Sequence, residues 1–135
     1  MYAQNADCIE YREAFEFVAA YGGRVDVVIC ELVLVELYLL LRNPAVLSKP
    51  LSAIGAVKVC ATYRRNPNWR LVENAPIMPD VWELAAADGF PRRRIIDVRL
   101  ALTLQHHGVT ELATVNTRDF DGLGFARVWN PIASA

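Results

Sequence analysis

Apolar residues recur along this chain in two rhythms. Short apolar segments at Val25 to Ile29, Trp69 to Val72, Glu111 to Val115 and Ala126 to Trp129 have the length and composition of strands. Between them the apolar positions return at helical spacing. Phe15, Val18 and Ala19, with Glu10, Arg12, Glu13 and Glu16 interleaved, predict an amphipathic helix from Ile9 that Gly22-Gly23 stops. A second helix runs from about Leu32 to Arg42 and ends at Asn43-Pro44, because the residue before proline is pushed out of the helical region. Ser52 can cap a third, which carries Ile54, Val57, Val59 and Cys60 and ends in the basic turn Tyr63-Arg64-Arg65-Asn66-Pro67. Pro79 opens a fourth with Val81, Trp82, Leu84 and Ala85 on its apolar face, ended by Gly89, and a fifth runs from about Ile95 to His107 and stops at Gly108. Helices alternating with short strands indicate an α/β sandwich with a mainly parallel sheet. No repeat or linker interrupts the 135 residues, which read as one domain.

The second helix carries a carboxylate among apolar neighbours. Leu32 to Val35 precede Glu36 and Leu37 to Leu41 follow it, so the helix is apolar nearly all round and is expected to be buried. A buried carboxylate must be protonated, matched to a cation or holding a metal. A membrane span does not account for the run: Val25 to Leu41 falls short of the roughly 20 residues needed, and it contains Asp26, Glu31 and Glu36. Glu31 suits the first turn of the helix, where a negative charge meets the helix dipole.

Composition narrows the picture in three ways. A hydrophobic share of 54% predicts tight burial and a surface for self-association, while a net charge of −1 argues against broad electrostatic capture of nucleic acid. Positive charge is instead concentrated in one loop, Phe90-Pro91-Arg92-Arg93-Arg94. Cys8, Cys30 and Cys60 lack CxxC spacing and lie in or beside apolar segments, as reduced cysteines of a cytoplasmic protein do. No signal peptide pattern opens the sequence.

In an open parallel sheet, chemistry collects beyond the carboxyl ends of the strands. Three acids meet that rule: Glu36 after the first strand, Asp97 in the first turn of the fifth helix, and Asp119 after the Glu111 strand. Carboxylates that converge repel unless a divalent cation preferring oxygen ligands neutralises them, and Mg²⁺ or Mn²⁺ is the natural choice. Such an ion acidifies bound water and stabilises charge on a phosphodiester, towards which Arg92, Arg93 and Arg94 could guide a phosphate backbone. Each acid also has a structural alternative. Asp97 can serve the helix N-terminus, Asp119 can form a turn with Asn116 and Thr117, and Glu36 can pair with an arginine such as Arg99. The arginine run can be a solvated loop, and His106-His107 suit the last carbonyls of their helix.

The order of these segments is more specific than any one of them. Glu36 followed by LYLLLRNPAVL, then IIDVRLALTLQHHG with Asp97, then ATVNTRDF with Asp119, resembles the PIN-domain ribonucleases, in particular the VapC-type toxins of toxin-antitoxin pairs. The resemblance covers nearly the whole chain and implies a PIN-like three-layer sandwich. It further implies that Glu36, Asp97 and Asp119 bind Mg²⁺ or Mn²⁺ for endonucleolytic cleavage of RNA, with Asn116 and Thr117 orienting the site. A homodimer and a cognate antitoxin are implied partners. PIN domains begin with an apolar strand ending in an Asp-x-Asn motif. Here the chain opens Met1-Tyr2-Ala3-Gln4, and Asp7 lies too far along to replace the first acid. The expectation is that the natural protein begins upstream and that the sequence as written folds poorly and cleaves little RNA. The alternative is a PIN-like binding module that holds a protein partner or RNA without cutting it. A small-molecule phosphohydrolase has no support, since neither a Gly-rich phosphate loop nor a nucleophile motif is present.

Overall fold

The computed structural model describes residues 11–132 of the chain, which divide into two compact units, one up to Val72 and one from Glu73. The predicted helix start at Ile9, together with Asp7 and Cys8, lies outside the described residues.

The first unit opens with α1, Tyr11–Tyr21. Its C-terminal carbonyls are satisfied from a distant loop: the Trp69 indole donates to Tyr21 at 2.8 Å, and the Asn66 and Asn68 amides donate to Gly22 at 3.0 and 3.2 Å. Strand β1, Val28–Cys30, pairs in parallel with β2, Arg70–Val72, placing Ile29 opposite Leu71. Two helices make the crossover, α2 over Glu31–Leu41 and α3 over Ala53–Arg64. Ser52 caps α3 as expected, its hydroxyl accepting from the Gly55 amide at 3.1 Å. The helices meet at Leu41, Leu47 and Ala56, with Leu37, Tyr38, Val59 and Cys60 against them. At the outer end, Arg64 donates to both carboxylate oxygens of Glu31 at 3.0 and 3.1 Å.

Helix α2 departs from the expectation of burial on all sides. Leu34 and Leu41 are its buried residues, and Leu37 and Tyr38 join them in an i, i+3, i+4, i+7 stripe. Glu36 lies off that stripe and is exposed, as are Val35 (53%) and Leu39 (61%). Apolar composition therefore overstated the burial, because the packing among the described residues follows the stripe that faces α3. The electrostatic penalty inferred for Glu36 does not arise.

In the second unit, α4 spans Met78–Ala85 with Pro79 in its first turn, and α5 spans Arg94–His106. Helix α4 ends a turn before Gly89. The Ala86 and Phe90 amides close short turns there, and Gly89 itself takes the left-handed conformation, φ 75°. Gly108 does the same after α5, φ 86°, as its position predicts. Ile77, Val81 and Val98 form the core between the two helices. Strand β3, Glu111–Ala113, pairs in parallel with β4, Arg127–Trp129, and a 3₁₀ turn, Thr117–Phe120, lies on the connection between them. The α/β class and the parallel pairing hold in both units. The strands span three residues each, and single backbone bonds extend the pairing at their ends, from Arg70 to Val27, Thr114 to Trp129 and Ala126 to Thr110.

Candidate active site

Asp97 occupies the first turn of α5, and the residue after it, Val98, is almost completely buried against Ile77 and Val81. Packing of Val98 thus fixes the rotation of the helix and the direction in which Asp97 projects. Asp119 sits in the 3₁₀ turn that leaves β3, where its amide donates to the Asn116 carbonyl at 3.1 Å. The turn read from the sequence exists and is closed by the Asp119 backbone amide, with the Asp119 side chain exposed.

Asp97 lies within electrostatic reach of Asp119. Partial burial pushes the Asp97 carboxyl above the usual carboxylate range, repulsion from Asp119 adds to the effect, and Arg94 acts against it. An acid serving only a helix N-terminus is stabilised in its charged form and moves the other way. Asp97 is half-buried and Asp119 exposed, so the pair opens to solvent on the Asp119 side.

Two neighbouring carboxylates, with oxygen as the sole donor type, suit a hard divalent cation. Mg²⁺ characteristically takes one or two protein carboxylates and keeps its other positions for water and phosphate. Among the described residues no group of three or more His, Cys, Asp or Glu side chains stands together as a metal cage. Glu36 belongs to the first unit, so the second unit contributes the Asp97–Asp119 pair.

The remaining candidates fall around that pair. Arg94, three residues before Asp97 and so on the same helix face, donates through Nη2 to the Asp121 carbonyl at 2.9 Å. Arg92 and Arg93 are exposed ahead of α5. Asn116 is exposed and its backbone amide donates to the Thr114 hydroxyl at 3.2 Å, while Thr117 is half-buried and lines an open depression between the 3₁₀ turn and β4. Arg99 donates to the Asn74 side chain at 3.1 Å. His106 and His107 meet edge to face at the end of α5, and the His107 amide bonds the Thr103 and Leu104 carbonyls. The sequence reading singled out nothing between Asp119 and Ala126. Its signal there was Asp121-Gly122-Leu123-Gly124, in which both glycines adopt positive φ and shape a cavity wall.

No helix of the described residues is long and apolar enough to cross a membrane. No family model matches the chain. Its similarity to individual proteins is extensive: it is 56% identical over 134 residues to Ribonuclease VapC24 of Mycobacterium tuberculosis, in both strain CDC 1551 / Oshkosh and strain ATCC 25618 / H37Rv, covering 99% of this chain and 92% of each relative. Identity at that level along almost the entire length places the chain in the VapC ribonuclease family.

Proposed function

We propose that this chain is a metal-dependent endoribonuclease, the toxin of a toxin-antitoxin pair, built as a PIN-like three-layer sandwich and working in the cytoplasm. The environment of Asp97 is the observation that carries the reading: its carboxylate is partly buried and repelled by Asp119, and a bound cation would relieve both burdens on the charged form. Asp97 and Asp119 would hold Mg²⁺ or Mn²⁺, which when bound supplies Lewis-acid stabilisation to the phosphodiester and acidifies water. Glu36 is the third expected ligand, and its role rests on the family resemblance. Packing of Val98 holds the α5 turn that carries Asp97, and Asn116, whose carbonyl closes the turn at Asp119, would orient that acid together with Thr117. Arg94 lies beside the acids, where a guanidinium can fork onto a phosphate, and Arg92 and Arg93 extend that positive charge along the loop.

Association is part of the proposal. Val33, Val35, Leu39 and Leu40 expose apolar surface on α2, which supports a homodimer and an antitoxin as partners. The deciding experiment compares cleavage of single-stranded RNA by the wild-type chain and by Asp97→Asn and Asp119→Asn variants, with Mg²⁺ or Mn²⁺ and with chelator. Cleavage that requires metal and is lost in both folded variants supports the nuclease. RNA binding with no cleavage by the wild-type chain at millimolar metal would move the assignment to the binding module.

A further inference from the structure

Helix α5 presents one stripe to the loop that follows Asp119. Arg94, Val98, Ala101 and Gln105 recur at helical spacing on one face, with Val98 and Ala101 almost completely buried in the middle and a polar side chain at each end. Both ends reach the same short segment. Arg94 Nη2 donates to the Asp121 carbonyl at 2.9 Å, and Gln105 Nε2 donates to the Leu123 carbonyl at 2.6 Å. The two donor residues stand about three turns apart, roughly 16 Å along the axis, yet their side chains converge on carbonyls of near neighbours, so they grip the loop from opposite ends of the helix. Gly124 closes against the second of them, where a Cβ would meet Gln105 Nε2 at 3.2 Å.

That grip is passed on to Asp119. The backbone amides of Asp119, Asp121 and Leu123 donate to the carbonyls of Asn116, Arg118 and Phe120 at 3.1, 3.3 and 3.3 Å, so residues 116–123 are linked by overlapping short turns. Phe120 is buried, and Leu123 packs against the Ile77–Val81–Val98 core. A shift of the Asp121 or Leu123 carbonyl therefore carries the Asp119 turn with it, relative to an Asp97 that stands on the same helix as both donors. Arg94 is in addition within electrostatic reach of Asp97.

We infer that Arg94 and Gln105 are positioning residues of the metal-dependent site, two side-chain struts on α5 that hold the Asp119 turn at a fixed offset from Asp97. The inference rests on the metal-dependent nuclease reading and adds to it what sets the spacing of the two acids. The bond to Asp121 uses one of the five N–H donors of the guanidinium, so this role stands beside the phosphate contact proposed for Arg94.

The test is Mn²⁺ binding by the full chain in the absence of RNA, followed by calorimetry. Wild type is compared with Arg94→Met and Gln105→Met, which keep an aliphatic stem and delete the donor. Both variants should bind Mn²⁺ about tenfold more weakly, as the loss of a partner that orients a metal ligand does. Charge alone gives the opposite sign at Arg94, because removing a cation beside the acids tightens cation binding. Gln105 carries no charge, so an electrostatic role leaves its variant unmoved. Arg94→Lys, which keeps a cation and a donor, should recover most of the lost affinity. Hydrogen exchange at the Asp119, Asp121 and Leu123 amides should quicken in both Met variants while the Val98 and Ala101 amides stay protected. Thermal melts establish the fold of each variant, and Arg94→Met decides alone if Gln105→Met melts too low to assay, since Arg94 lies outside the Ile77–Val81–Val98 core. Unchanged or tighter Mn²⁺ binding by either folded variant overturns the positioning role and leaves the nuclease in place. A wild-type chain that binds no Mn²⁺ at millimolar concentration overturns the metal-dependent reading itself, and the struts with it.

Discussion

Replacing Asp97 with asparagine should raise the stability of the metal-free protein while removing its nuclease activity, and added metal should reverse the order of stabilities. In the folded chain Asp97 is partly buried and faces Asp119, so its charged form is disfavoured. Asparagine keeps the shape and removes the charge. Asp119 is exposed and solvent screens the repulsion, so the gain is about 0.5 kcal/mol, in the range of surface charge pairs. For a chain of this size that corresponds to a rise in Tm of about 2 °C. If the carboxylates bind Mg²⁺, the wild-type protein at a metal concentration ten times its Kd gains about 1.4 kcal/mol that the variant does not. The two melting curves should therefore cross over as Mg²⁺ is titrated. Differential scanning fluorimetry with and without chelator reads both halves. A metal-free Asp97→Asn chain that melts below wild type would mean that the carboxylate serves its helix end. Equal stabilisation of both proteins by Mg²⁺ would remove Asp97 from the metal site.

The same carboxyl sets a pH dependence. Its folded pKa is raised, so the native state holds the proton more tightly than the unfolded chain; the resulting stability is complete below the unfolded value and is lost as pH rises through the folded one. Chelated wild-type protein should accordingly lose stability relative to Asp97→Asn over that window, as urea melts at stepped pH would record. Glu36→Gln, on an exposed position of α2, should change stability by no more than about 0.5 kcal/mol and abolish metal-dependent cleavage; retained cleavage would remove Glu36 from the ligand set. Leu41→Ala empties a fully buried position between α2 and α3 and should cost about 2 to 5 kcal/mol, measured by urea denaturation.

Much of this protein was legible without its structure, because the signals involved are local. Ser52 at a helix start, Pro79 in a first turn and Gly108 after a helix end act within a few residues of themselves, and each sits where its chemistry predicts. Alternation of the elements was enough for the α/β class. Asp97 and Asp119 could be nominated from their places after a loop and a strand, yet only tertiary packing brings them within electrostatic reach, through the burial of Val98 and the turn after β3. Glu36 shows the converse. Its apolar neighbours suggested burial, but a helix buries the stripe that meets a partner, and Leu34, Leu37, Tyr38 and Leu41 face α3 while Glu36 does not. The loop between the 3₁₀ turn and β4 takes its shape from two glycines at positive φ and from bonds donated by Gln105 and Arg94, contacts that no periodicity encodes. Local propensity determined the elements and the candidate acids. Which faces meet, and so which charges feel one another, was decided by packing between residues far apart in the chain.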